Sequence, residues 1–491
     1  MLTPLRWLIW THRYLGIAVG FLCVMWFVTG IVMIYTGGMP TVTPPQHLQK
    51  LPELALSQVR IAPAEAIRSD GALSPDTMLL STVMNRPMWR TGGGRDHAVF
   101  ADDGTLLQPI DPAQAQQVAA DFAGVTVDRL RLTNTLRRPD QWTLGQRGVL
   151  YQFRGDDAQG TEIYVSAAAA QVVQHTDRRS RVLAWVGAIP HWLYFTALRA
   201  DAPLWTRVVV WSSAAVCALA VMGVVLAFTQ FRRSRPLRLS ASIPYRGWMR
   251  WHYILGALFG IFAVTWAFSG LLSVEPFAWT RASGLLPDAD VMSGGPLQPE
   301  RFAVPDEAAF RRIANGRSIR QLELTRIQDQ PYYVVRYADG EQLVDATNME
   351  PRQAPFSSES LVARLTAALP EAPLLDQQLL QQYDSYYYAR GAPLPVLRIR
   401  FNDPDQTWFY VDPRRGEIVG QVHRLSRVER WLYHGLHSLD FGSWYRSRPL
   451  WDIVVIVLCL GGASLSAIGL YLGFKRLGAD LKRLLIKGER S

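Results

Sequence analysis

Cysteine is scarce in this chain, with 3 among 491 residues, and Cys23, Cys217 and Cys459 all fall inside long apolar runs. The polar stretches between those runs therefore carry no disulfide, even in a compartment that permits one. No CxxC motif and no Cys/His spacing of a zinc site occurs anywhere. Charge is thin as well, with 19% of residues charged against 49% apolar. The net charge of +10 is concentrated in three short segments and does not form the basic face of a nucleic-acid-binding domain, so no nucleic-acid partner is expected. No general acid, base or nucleophile recurs in the sequence.

What the chain does have is long hydrophobic runs. Tyr14–Tyr35, Val208–Phe228, Ile254–Val274 and Ile453–Phe474 are almost free of charge. Each reaches the ~20 apolar residues that a membrane-spanning helix needs. The first run is too long for a signal-peptide core, and "YTGGMP" after it is a poor cleavage site, so it is expected to stay as a span. The division expected is a first span at 1–37, a polar region at 38–180, a lead-in with the second span at 181–230, and a basic linker at 231–250. A third span at 251–275, a polar region at 276–426, a lead-in with the fourth span at 427–475 and a basic tail at 476–491 follow.

Arginine and lysine near the span ends set the expected orientation. The linker holds Arg232, Arg233, Arg235, Arg238, Arg246 and Arg250 and no acid, the tail is basic, and the N-terminus adds Arg6 and Arg13. Both termini and the linker are thus expected on the cytoplasmic side of the membrane. The two large polar regions are expected in the periplasm, and the lipid bilayer is the first partner.

The chain also repeats itself. A shift of 240 residues lays His12 on His252, Gly16 on Gly256, Gly20 on Gly260, Trp26 on Trp266 and Gly30 on Gly270, and sets Thr29 against Ser269. A shift of 246 lays Arg181 on Arg427, His191 on His437 and Gly223 on Gly469, and puts "TEIYVSAAAAQVV" (161–173) under "TWFYVDPRRGEIV" (407–419). The expected fold is a membrane α-helical protein with a four-helix core from a tandem two-span duplication, carrying α+β domains in the polar regions. "DPAQAQQVAADFAG" and "SSESLVARLTAAL" begin with capping residues and read as helices. "PYYVVRYADGEQLVDATNMEP" and "LPVLRIRFNDPDQTWFYVDPRRGEIV" alternate around turns and read as hairpins. "YDSYYYARG" (383–391) reads as a packed strand or hairpin edge, with an acceptor-binding patch as the alternative.

Of nine histidines, His47, His97, His175 and His423 have no duplicated partner and read as surface residues. An ionisable residue at a membrane edge is a functional candidate by default, although each of His12 and His252 taken singly also fits an interfacial anchor. One turn beyond each lies a glycine, Gly16 or Gly256, which leaves room for a flat ligand against the backbone or for close helix packing. A pseudo-twofold axis along the membrane normal would set His12 opposite His252 and His191 opposite His437. Facing neutral imidazoles are the axial pair of a b-type haem, so two haems per chain are expected, with the four histidines as iron ligands. Zinc fits poorly, since no carboxylate or cysteine recurs with the histidines. His434, where the first copy has Ala188, is an alternative ligand, a neighbour of His437 or a surface residue. Trp26 and Trp266 would pack on a porphyrin or in the core. Arg181 and Arg427 are candidates for haem propionates, and Arg13 and Arg250 are explained as well by topology.

Taken together, "HRYLGIAVGFLCVMWFVTG", "WHYILGALFGIFAVTWAFSG", "WLYHGLHSLDFGSWYRSRPLWDIVV" and the hairpin segments resemble the PepSY-associated transmembrane family of bacterial inner-membrane proteins over nearly the whole chain. The resemblance implies a four-helix core with periplasmic PepSY domains. Some members are haem-containing reductases that free iron from siderophores, and the four duplicated histidines match that arrangement. The expectation is a transmembrane oxidoreductase taking electrons from a cytoplasmic flavoprotein or quinol to a periplasmic acceptor such as a ferric siderophore. The rival is a non-redox membrane module whose PepSY domains bind or regulate a periplasmic peptidase. A transporter on parallel repeats is disfavoured by the nearly apolar span centres.

Overall fold

The computed structural model describes residues 4–71, 77–91, 97–231, 242–275, 284–288, 290–389 and 391–488. The linker residues Arg232, Arg233, Arg235 and Arg238 lie outside that set. The chain divides into two compact units, one of residues 1–39, 182–282 and 425–491, and one of residues 40–181 and 283–424.

The first unit is built on four long helices, Pro4–Thr36, Ala202–Thr229, Gly247–Leu272 and Leu450–Gly488. Each is long and apolar enough to cross a membrane, and only 17–22% of each apolar window is buried by the protein itself. Their outward faces carry exposed Phe21, Trp211, Phe228 and Leu258, a surface suited to hydrocarbon rather than water. Trp7, Trp10, Trp248 and Trp251 are exposed near helix ends, where amphipathic rings favour the membrane interface. Packing runs first on fourth, fourth on third, third on second and second on first, so the first and third helices are diagonal. Small residues let the helices approach. A Cβ at Gly462 would lie 2.4 Å from Phe27, one at Gly461 2.5 Å from Phe259, and one at Gly473 2.7 Å from Ile17. The first helix ends at Thr36 because Gly37 and Gly38 take positive φ, and a Cβ at Gly38 would lie 2.6 Å from the Trp192 ring. The second helix begins on Asp201, whose carboxylate accepts from the Leu204 amide.

Among the described residues the second unit holds three antiparallel sheets. β1 (Met78–Val83), β2 (Arg86–Thr91) and β3 (Ala98–Phe100) come from the first polar region. They join β8 (Ile319–Ile327), β9 (Gln330–Tyr337) and β10 (Gly340–Asp345) of the second in one six-stranded sheet, with β1 paired to β8. β4 (Leu130–Leu136), β5 (Leu150–Gly155), β6 (Glu162–Ser166) and β7 (Gln171–Thr176) form a four-stranded meander. So do β11 (Leu374–Leu380), β12 (Val396–Phe401), β13 (Trp408–Asp412) and β14 (Glu417–Val422). The register slips at Tyr164/Val165 in one and at Tyr410/Val411, 246 residues later, in the other.

Both expected capped helices form. Pro112–Ala123 starts on Asp111, which accepts from the Ala113 and Gln114 amides, and Ser358–Ala368 starts on Ser357. The segment "YDSYYYARG" departs from expectation, since its described residues form a loop and not a strand. Asp384 accepts from the amides of Tyr386 and Tyr387, turning the chain so that Tyr387 stacks on Tyr410 at 4.8 Å. His423 is buried, not a surface residue as read from the sequence.

Candidate functional site: two facing histidine pairs

The four-helix unit encloses a cavity of about 1080 Å³, at the top of the ~300–1,000 Å³ range of small-molecule sites. His12, His191, His252 and His437 all line it, with Gly16, Gly256, Trp26 and Trp266. The first and third helices bring His12 and His252 from opposite corners to a ring separation of 6.3 Å. The short helices Ala188–Trp192 and Leu436–Ser438 bring His191 and His437 to 6.1 Å.

Each ring is oriented through Nδ1. In His12 this nitrogen lies 3.1 Å from the Leu219 carbonyl oxygen, and in His252 it lies 3.2 Å from that of Leu465. A carbonyl only accepts, so Nδ1 carries the proton and Nε2 keeps its lone pair. In His191 the partner is Thr29 Oγ1 at 2.9 Å, and in His437 it is Ser269 Oγ at 3.0 Å. Both hydroxyls already donate within their own helices, Thr29 to Met25 O at 2.7 Å and Ser269 to Trp266 O at 3.1 Å. They therefore accept from the imidazoles, and all four rings share one tautomer with Nε2 available as a ligand. Burial holds His191 and His437 below the ordinary histidine range, so both stay neutral at physiological pH.

The donor set fits a metal held between two imidazoles. A metal–nitrogen bond of about 2.0 Å plus roughly 1.1 Å from nitrogen to ring centre separates two coaxial imidazole centroids by about 6.2 Å. The observed 6.3 and 6.1 Å agree with that spacing. No group of three or more His, Cys, Asp or Glu able to hold a metal ion occurs among the described residues, which leaves paired imidazoles as the donor set. The indole N–H groups of Trp26 and Trp266 are buried without a hydrogen-bond partner and belong to residues of the cavity wall.

Glycine makes the near seats. A Cβ at Gly223 would lie 3.0 Å from His12 Cε1, and one at Gly469 2.8 Å from His252 Cε1. Gly16 and Gly256 line the cavity, their nearest neighbours Leu219 and Leu465 at 3.6 and 3.7 Å from an added Cβ. Gly30 and Gly270 lie beside His191 and His437, whereas Gly20 and Gly260 pack against Leu470 and Val224.

His434 does not line the cavity. It sits in the π-helical turn Trp431–Gly435, its ring 4.7 Å from that of Tyr433. The wider turn carries His437 round to the wall instead. Arg181 and Arg427 are not on the wall either. Arg181 donates to Thr176 Oγ1 and the Gly160 carbonyl and lies 3.5 Å from Glu162, and Arg427 is buried. The arginines that do line the cavity are Arg13, Arg448 and Arg476. Arg448 and Arg476 escaped the sequence reading because their matched positions are Ala202 and Gln230, and recurrence was the filter. Gly223 and Gly469 did recur, and Thr29 and Ser269 kept a hydroxyl. The carbonyls of Leu219 and Leu465 leave no side-chain signal.

A family model described as "PepSY-associated TM region" matches residues 9–476, nearly the whole chain. No curated protein matches it.

Proposed function

The chain belongs to the family of PepSY-associated TM proteins, and on that premise we propose that it is a di-haem b protein of the bacterial inner membrane. It carries electrons across the bilayer to a periplasmic acceptor, with ferric iron in a siderophore as the acceptor that fits best. The observation that carries this reading is the pair of facing imidazole pairs, all four with Nδ1 engaged and Nε2 available. The matched register slips of the two meanders support a tandem duplication. The basic termini and linker support the orientation with both termini cytoplasmic and the polar regions periplasmic.

Bound haem supplies a one-electron couple at each pair. His12 and His252 ligate near the cytoplasmic end, His191 and His437 near the periplasmic end. The two pairs meet the first helix at residue 12 and residue 29, about 26 Å of helix apart. Arg13 and Arg476 at one end and Arg448 at the other would face carboxylates of the bound groups, with Arg476 and Arg448 also ion-paired to Asp480 and Asp452. The apolar wall excludes water and keeps the path in a low dielectric. Electrons enter from a flavoprotein or quinol.

The test is a dithionite-reduced minus oxidised visible spectrum of the detergent-purified protein, with a pyridine haemochrome count. Two haems per chain, halved by His12→Ala or by His191→Ala, is the expected result. A chain that stays colourless after expression with ample haem sinks the reading. It would leave the membrane-anchored PepSY module, binding or regulating a periplasmic partner, in its place.

A further inference from the structure

The four Nδ1 anchors are of two kinds. His12 and His252 rest on backbone carbonyls, which no side-chain substitution deletes. His191 and His437 rest first on the hydroxyls of Thr29 and Ser269, which are 6% and 0% exposed, with the backbone carbonyls of Trp26 and Trp266 as secondary acceptors. Each hydroxyl gives its single proton to a carbonyl of its own helix, Thr29 to Met25 and Ser269 to Trp266. Toward the imidazole it acts only as an acceptor. A metal-bound imidazole whose second N–H is hydrogen-bonded is a more basic ligand and favours the oxidised metal.

We propose that Thr29 and Ser269 are positioning residues that hold His191 and His437 in the Nδ1–H tautomer and hold down the reduction potential of that centre alone. This rests on the di-haem reading above. The other centre, anchored by carbonyls, is blind to both side chains, so one end of the electron path is tuned separately from the other.

The test is a potentiometric titration of the haem-loaded full chain, with the two waves assigned by His12→Ala and His191→Ala. In Thr29→Val and in Ser269→Ala, both haems are retained, the His191/His437 wave moves to a more positive potential, and the other wave stays. The double variant moves further, while Thr29→Ser and Ser269→Thr restore the wild-type value. Loaded variants with unmoved waves, or with both waves moving together, overturn the inference. If Thr29→Val sheds a haem, recovery of that haem in Thr29→Ser supports the positioning role, and no recovery overturns it. The ¹⁵N shifts of His191 in the haem-free protein give a readout independent of loading. Thr29→Val is expected to turn a single Nδ1–H tautomer into a mixture, and an unchanged tautomer overturns the assignment. A colourless wild type defeats the di-haem reading and is told apart from these outcomes by its lack of any wave.

Discussion

In the first half of the chain, His12 lies on the Leu219 carbonyl beside Gly223. In the second, His252 lies on the Leu465 carbonyl beside Gly469. Thr29 holds His191 as Ser269 holds His437, and an unpartnered indole N–H recurs at Trp26 and Trp266. Away from the cavity the halves differ. Arg181 is engaged by Thr176 and Glu162, while Arg427, in the four-helix unit, is buried. Ala188 occupies the position matched to His434, and a buried Arg430–Asp440 ion pair has Ala184 and Tyr194 at the matched positions. Around the cavity the halves share the four histidines, their Nδ1 partners and the glycines and tryptophans beside them, whereas the arginines divide, Arg448 and Arg476 lining the wall unmatched and Arg181 and Arg427 recurring off it. That shared set, rather than the arginines, is the physical reason to read the wall as the candidate site.

The largest effect should come from filling the shared seats. Gly223→Val and Gly469→Val each drive a side chain into an imidazole, and each is expected to lose one of the two haems by pyridine haemochrome. Gly16→Ala, whose added carbon meets Leu219 at an ordinary 3.6 Å, should keep both. Sensitivity in only one half would break the equivalence of the two seats. A sharper contrast follows at the point where the halves differ. His437→Ala should lose a haem and His434→Ala should not, because only His437 reaches the wall. Loss in both variants would move His434 into the ligand set.

How much of this was legible beforehand varies with the kind of interaction. The apolar runs located all four long helices, because hydrocarbon selects residues one at a time. Their extents beyond the apolar runs were legible only in part. The first helix, Pro4–Thr36, falls within the expected span 1–37 and carries Trp7, Trp10 and Arg13 ahead of the apolar run that starts at Tyr14, residues that suit an interface. The fourth runs to Gly488 because i,i+4 pairing of Arg476 with Asp480 extends it into polar surroundings. The histidine pairing was legible through duplication alone. The same filter discarded Arg448 and Arg476, which occur once, and promoted Arg181 and Arg427, which recur but lie off the wall. The β1–β8 pairing joins residues some 240 positions apart through backbone groups, and nothing local in either strand announces it.

A smaller effect is expected where the two meanders diverge. Tyr164 and Tyr410 occupy matched positions and are both fully buried. The Tyr164 hydroxyl lies 3.2 Å from Glu162 and 3.3 Å from Asp140, and burial with those carboxylates raises its pKa well above the usual phenol range. The Tyr410 hydroxyl donates to Asp384 at 2.9 Å, and Asp384 keeps Arg398 at 3.1 Å. Tyr164→Phe removes the one proton that lies between buried Glu162 and half-buried Asp140 and should cost ~1–3 kcal/mol, whereas Tyr410→Phe should cost nearer ~1 kcal/mol. Hydrogen exchange of β6 and β13 amides in the two variants of the full chain measures both. Equal losses would mean that the Asp140–Glu162 pair does not depend on the tyrosine.

The smallest effect separates the outer strands. β11 carries Asp376, hydrogen-bonded and ion-paired to Arg400 on β12, while β4 (sequence LRLTNTL) carries no acid. The hydrogen bond from Arg400 holds the Asp376 carboxyl below the usual carboxylate range. A carboxyl with a depressed folded pKa contributes stability that is fully present above the unfolded value of ~3.9 and is lost as pH falls through the folded pKa. The pair is partly exposed, so the contribution is small. After correction for intrinsic exchange, β11 amides should therefore lose protection as the pH drops below about 4 while β4 amides hold theirs. Asp376→Asn should remove the difference by loosening β11 at neutral pH. Parallel loss in β4 and β11 would instead trace acid sensitivity to the whole unit and not to this one ion pair.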